Sequence, residues 1–211
     1  MTEKPVKITG RTLPVALAEL GARDPDMARA LAGAGKPPLR RRKAGFAALL
    51  RIILAQQVSV ASARAIFARL DVAADPLTPE TFLALDDEAL RAIGFSRQKI
   101  GYGRGLAGDV TERRLDLQRL KRLDDEAAIE ALTTVKGIGR WSAEIYLMSA
   151  LGRPDIWPAL DLGLAQAVQL LKGLDERPDP KRMLEIGEAW RPWRSVASLL
   201  LWHYLHINPT E

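Results

Sequence analysis

The chain has 211 residues and is 47% hydrophobic, enough for a sizeable core in one domain or two compact lobes. With 27% charged residues and no apolar run of about eighteen, it gives no sign of a transmembrane helix, and MTEKPVKITG lacks the charged-then-apolar pattern of a signal peptide. The absence of cysteine excludes disulfides, thiolate nucleophiles, cysteine-ligated zinc and iron–sulfur clusters; the two histidines, His203 and His206, leave little for a metal site, and a net charge of +5 suits an anionic partner such as nucleic acid.

Residues 1–10 read as an irregular arm, after which Leu13, Leu17 and Leu20 open a helical stripe. Asp24-Pro25 is a helix start, with Asp as cap and Pro in the first turn, and Met27, Ala30 and Leu31 carry that helix to Gly33. GAGKPP breaks it. The basic run Lys36, Arg40, Arg41, Arg42 and Lys43 reads equally as a solvated loop and as a contact to a nucleic-acid backbone. Residues 44–57 form an apolar helix with Phe46, Leu49, Leu50, Ile53 and Leu54 inward; the junction Gln56-Gln57-Val58-Ser59 leads to a second helix capped by Ser59. Asp75-Pro76 marks a turn, and Thr78-Pro79 a new helix. Asp86 caps a short helix, Gly94-Phe95-Ser96 turns, and Ser96 caps the next. A Leu-spaced, Arg-rich helix is expected over 111–123, and Asp124 caps another. Later helices cover 162–172, closed by Gly173, then 181–190, and a last one after Pro192. No segment alternates as a strand does. The expected fold is all-α, a two-lobed bundle of about ten helices. The division falls near 33–43, giving an N-terminal piece, 1–43, that returns to pack beside the C-terminal helices, and a core, 44–211.

The chemistry concentrates between Leu132 and Asp161. The turn KGIGR is flanked at helical spacing by Ile129 and Leu132 before it and Ile145, Met148 and Leu151 after it, and Gly137 and Gly139 supply the backbone freedom of a sharp helix-to-helix reversal. Such a reversal, over 124–151, exposes the first N–H groups of the second helix, from Gly139 to Ser142, which attract a phosphate. After the loop 153–161 a lone carboxylate, Asp161, follows an apolar run and starts a helix. By itself it reads as an ordinary cap.

Taken in order, ILAQQVSVASA at 53–63, VKGIGRWSA at 135–143, Asp161 and WRPWRS at 190–195 resemble the helix-hairpin-helix DNA glycosylase superfamily, with the likeness strongest to the 3-methyladenine DNA glycosylase II family, in a compact core-only form. The resemblance covers about Ala44 to Ile207. It implies a helix-hairpin-helix DNA-binding motif and a monofunctional N-glycosylase of base excision repair, which flips an alkylated purine (3-methyladenine or 7-methylguanine type) out of double-stranded DNA and leaves an abasic site. Asp161 matches the carboxylate that stabilises the oxocarbenium-like state and positions water. Gln57 matches the side chain that fills the hole left by the flipped base, with Gln56 and Ser59 beside it; Lys136, Gly137, Gly139, Arg140 and Ser142 match the phosphate-binding hairpin.

Lyase-competent members carry a catalytic Lys where this chain has Trp141, which cannot form a Schiff base. Two further departures are Lys136, where the family usually has Pro, and Leu160, where it often has a second Asp. An aromatic pocket that favours cationic bases is implied. Trp141, Trp157 and Tyr146 lead a group that also includes Trp190, Trp193, Trp202 and Phe46, with Arg194 either reaching the site or forming a structural ion pair. The resemblance also implies a structural Na+ or K+ on the backbone carbonyls of Thr134, Val135 and Ile138, and neither a required cofactor nor an iron–sulfur cluster. A monomer in a bacterial cytoplasm, on the nucleoid, is expected. Two alternatives stand beside this reading: a glycosylase of the same scaffold for a deaminated or oxidised base, and a non-catalytic DNA-binding module, which would need the hairpin but not Asp161 or the Gln junction.

Overall fold

The computed structural model describes residues 7–208; residues 1–6 of the expected arm lie outside them. Twelve α-helices and no strand occur among the described residues. They form two compact units, one running from Arg42 to Tyr146, the other made of the chain up to Arg41 together with the chain from Leu147 onward. The first boundary lies near the expected 43/44. The second, inside the expected core 44–211, corrects it: the C-terminal third belongs with the N-terminal helices. No helix among the described residues is long and apolar enough to cross a membrane.

The unit Arg42–Tyr146 is built on α3 (Phe46–Ala55), whose near-continuous apolar sequence buries Phe46, Leu49, Leu50, Ile53 and Leu54. A helix apolar on most sides must be covered on most sides, and α3 packs against α4 (Val60–Ala73), α7 (Arg97–Thr111) and α9 (Arg140–Tyr146). Each fully buried large apolar side chain contributes about 1.5–3 kcal/mol, so this helix dominates the unit. The short helix α5 (Pro79–Ala84) delivers Phe82, and the turn after α6 (Asp87–Ile93) delivers Phe95, to a ring cluster with Phe46, the Phe46–Phe82 and Phe82–Phe95 centroids each 5.9 Å apart. Gly103 on α7 leaves room for it, since a Cβ there would lie 2.7 Å from the Phe82 ring. α8 (Asp125–Thr133) precedes the hairpin turn.

The expected helix over 111–123 is not formed. α7 ends at Thr111, Arg113 takes the left-handed conformation (φ 60°), and only a 3-10 turn occurs at Arg119–Lys121. The Asp116 carboxylate accepts the N–H groups of Gln118 and Arg119, an alternative to helical bonding that short acidic side chains offer. Leu115 and Leu120 are buried all the same, which explains why their spacing suggested a helix.

In the other unit, α1 (Thr12–Arg23) and α2 (Pro25–Ala34) pack on α12 (Arg194–Ile207), and α2 also meets α10 (Leu162–Lys172). α11 (Pro180–Glu188) supplies Met183 to the shared core, with Leu13, Leu20, Met27, Val168 and Leu200. The arm is not wholly irregular: Ile8 is buried and its N–H donates to Gly152 O at 2.9 Å. At the α1–α2 corner the Asp24 carboxylate caps α2 through Asp26 N–H (2.8 Å) and accepts from the Trp190 indole (2.9 Å), while Lys172 reaches both Asp24 (3.3 Å) and Asp26 (2.9 Å). One polar cluster thereby joins α2, α10 and the α11–α12 corner.

Burial pushes the Asp24 carboxyl up, but the bonds from Trp190 and Asp26 N–H and the Lys172 charge outweigh it and hold it below its ordinary value of 3.8. The Lys172 hydrogen bond, chiefly, holds Asp26 below the same value. A depressed folded-state value stabilises the fold above the unfolded-state value and loses that contribution as pH falls through it. Asp24→Asn keeps a cap and an acceptor but removes the charge. Urea unfolding between pH 6 and pH 3 is expected to show the wild type losing more stability than Asp24→Asn; equal losses would remove Asp24 from the acid response.

Candidate active site and nucleic-acid interface

Asp161 is the N-cap of α10. Its Oδ1 accepts the Leu164 N–H at 2.6 Å and the Trp202 indole N–H at 3.1 Å, and its own N–H donates to Pro158 O at 2.9 Å. The helix N-terminus and the indole fix the carboxylate's rotamer and place it in a positive field. Asp161 is half-buried, with exposed Leu160 and Leu162 (54% and 67%) on either side.

The loop ahead of it is held by the start of α12. Arg194 makes a two-pronged ion pair with Asp155, Nε to Oδ1 at 2.8 Å and Nη2 to Oδ2 at 3.0 Å, and Nη2 also donates to Asp155 O at 2.7 Å. Such a planar fork sets orientation as well as energy. Next to it, the Ser195 hydroxyl both accepts from Ile156 N–H (2.9 Å) and donates to Ile156 O (3.1 Å). Of the two expectations for Arg194, the structural ion pair is what the structure contains. Trp157 is buried, its indole donating to Met183 O at 2.8 Å and its ring meeting Trp190 edge-on at 5.1 Å. The Trp190 and Trp193 indoles are committed to Asp24 and Glu19.

The hairpin lies in the other unit, between α8 and α9. Ile138 N–H donates to Val135 O at 3.0 Å, closing the turn, and Ala143 N–H to Gly139 O at 3.0 Å, opening α9. Gly137 (φ 94°) has no alternative, since a Cβ there would lie 2.5 Å from Cγ of Tyr102. Lys136 and Gly139 are exposed. Arg140 is engaged, its Nη groups with both oxygens of Glu126 (2.9 and 2.6 Å) and its Nε with Glu144 (3.1 Å), so that it braces α8 against α9. Thr134 is exposed and Val135 and Ile138 are buried. No group of three His, Cys, Asp or Glu side chains that could hold a metal ion occurs among the described residues.

The Gln junction adjoins the hairpin. The Gln56 amide donates to Gly137 O at 2.9 Å and to the buried Ser142 hydroxyl at 3.0 Å. Gln57 is exposed and left-handed (φ 55°), a conformation that costs a non-glycine residue about 1–2 kcal/mol. Ser59 caps α4 by accepting from Ser62 N–H at 3.1 Å.

Thus Gln56, Gly137 and Ser142 come together in one unit, while Asp161, Trp157 and Arg194 belong to the other. Trp141 is half-buried. Tyr146 is wholly buried, and burial pushes its hydroxyl up to about 12 although the Gly45 backbone lies near enough to offset this in part. Phe46 belongs to the ring cluster of its unit. In the sequence Trp202 stands out no more than the other six aromatic candidates. Its bond to Asp161 spans 41 residues, and no local pattern signals it.

Residues 50–192 match the HhH-GPD superfamily of base excision DNA repair proteins, and the chain belongs to that family. It is 33% identical to the DNA-3-methyladenine glycosylase 1 of Schizosaccharomyces pombe over 165 residues, 76% of this chain and 72% of that one. It is 37% identical to the Bacillus subtilis protein YfjP over 124 residues, 59% of this chain; the match spans only 43% of YfjP. The solved structure of the Schizosaccharomyces pombe 3-methyladenine DNA glycosylase (Mag1) in complex with abasic DNA superposes with a TM-score of 0.82 at 31% identity, covering 89% of this chain and 94% of that one.

Gly137→Ala is expected to destabilise the protein by about 2–3 kcal/mol, through left-handed strain and the collision with the base of the Tyr102 side chain. Urea unfolding measures this, and a change below about 0.5 kcal/mol would contradict the close approach.

Proposed function

We propose that the chain is a monofunctional DNA glycosylase that hydrolyses the N-glycosidic bond of alkylated purines in double-stranded DNA. The observation that carries this reading is the Asp161 carboxylate, fixed at the start of α10 by the Leu164 N–H and the Trp202 indole. The names of the related proteins support the substrate class.

An alkylated purine bears positive charge, so it departs as a neutral base, taking the electron pair of the C1′–N bond with no proton from the protein. The deoxyribose left behind is oxocarbenium-like. Asp161 stabilises that charge and orients a water whose oxygen bonds to C1′, the released proton passing to the carboxylate or to solvent. With an indole at position 141, no amine at that position can attack C1′, and the product is an intact strand with an abasic site. Trp202, beside Asp161, keeps exposed surface for contact with a cationic base. The hairpin grips a phosphate through backbone N–H groups and Lys136, and Gln57 fills the gap in the stack. Val135 O, after accepting from Ile138 N–H, retains a lone pair, and with the Thr134 and Ile138 carbonyls would hold Na+ or K+ against that phosphate. A monomer suffices, and its proposed location is the nucleoid of a bacterial cytoplasm.

Asp161→Asn is expected to slow single-turnover release of 7-methylguanine by about 100- to 1000-fold with DNA affinity little changed. Trp202→Phe, which loses one hydrogen bond to the carboxylate, is expected to slow it by about three- to tenfold. An Asn variant as fast as wild type would sink the assignment.

A further inference from the structure

Lys99 stands in the first turn of α7, where a cation opposes the positive end of the helix's own dipole; that turn contains no acidic residue. Its ammonium is directed to a helix end of the other sign. Nζ donates to Leu54 O at 2.6 Å and to Gln56 O at 2.8 Å. These carbonyls close α3, where helical geometry provides no backbone donor and a lysine is a favourable partner. The ammonium is partly withdrawn from water, which pushes it below its ordinary value.

Gln56 is thereby held twice, by its carbonyl to Lys99 and by its amide to Gly137 O and Ser142 Oγ. The next residue is Gln57, exposed and left-handed. The turn is clamped by α7 and by the hairpin, and the side chain that follows the clamp is the one proposed above to fill the gap in the stack.

We infer that Lys99 is a positioning residue for base extrusion: its ammonium holds the Gln56-Gln57 turn in one backbone conformation, so that Gln57 enters the gap as a rigid wedge. This rests on the glycosylase reading given above. A wedge must hold its place while a stacked base is displaced, and a turn ordered in advance pays no ordering cost at that step. Lys99 touches neither sugar nor base in this scheme, so its loss affects extrusion and leaves bond cleavage alone.

The test compares wild type with Lys99→Met, which keeps the stem but leaves both carbonyls without their donor. Single-turnover excision of one methylated purine is measured in a fully paired duplex and as an unpaired, bulged nucleotide, with urea unfolding alongside. A 2-aminopurine neighbour reports unstacking independently of chemistry. The duplex rate is expected to fall about 10- to 100-fold and the 2-aminopurine signal to drop, with the bulged rate within about twofold. Lys99→Gln, which keeps a neutral N–H donor group and serves if the Met variant fails to fold, should lie between them. Equal losses on both substrates, or no loss on the duplex, would overturn the inference. If wild type releases no methylated base, the glycosylase reading fails by itself; the 2-aminopurine signal then decides, and an unchanged signal in Lys99→Met overturns the wedge role.

Discussion

A carboxylate can stabilise a transient positive charge only if it is already in place when the charge forms. On the proposed reading, the segment from Leu147 onward answers that constraint. Asp161 opens α10 as its N-cap, so the donors that would otherwise be unsatisfied at a helix start orient it, and the Trp202 indole completes the hold. The loop leading to it is fixed by the Arg194–Asp155 fork, by Ser195 on both polar groups of Ile156, and by Trp157 packed on Trp190. Even α11 bears the mark of it: a Cβ at Gly187 would lie 2.7 Å from the Trp157 indole nitrogen.

In the proposed function the unit Arg42–Tyr146 meets a different demand. Gripping a phosphate and filling a gap in the stack require a turn and a hairpin that keep a fixed distance. Gln56 provides the tie, with Lys99 on its other side and Tyr102 under Gly137. Both tying residues come from α7, which itself packs on the apolar spine α3. Hydrophobic burial sets the frame, and a few charge-assisted or amide hydrogen bonds set the positions of the groups proposed to meet DNA.

Much of this was legible in the sequence because helix starts are chemically local. Asp24, Ser59, Asp86, Ser96, Asp124 and Asp161 each accept a backbone N–H two or three residues on, as cap residues do. Over 111–123 the leucine spacing misleads, because Asp116 offers the backbone a competing acceptor. The residues that hold the site were illegible for a different reason. Trp202 to Asp161 and Gln56 to Ser142 are contacts across 41 and 86 residues, set by how helices pack and not by their own sequences. Lys99 did leave a local trace, a cation at the wrong end of its helix, which becomes meaningful only once the end of α3 is seen beside it.

On the proposed reading, this chain releases methylated purines and leaves the strand whole. The most direct measurement is to incubate the protein with methylated duplex DNA, identify the freed bases by mass spectrometry, and run the DNA on a denaturing gel before and after alkali. The expected result is free 3-methyladenine and 7-methylguanine with strands that break only after alkali. Release of deaminated or oxidised bases alone, or strand breaks without alkali, would contradict it.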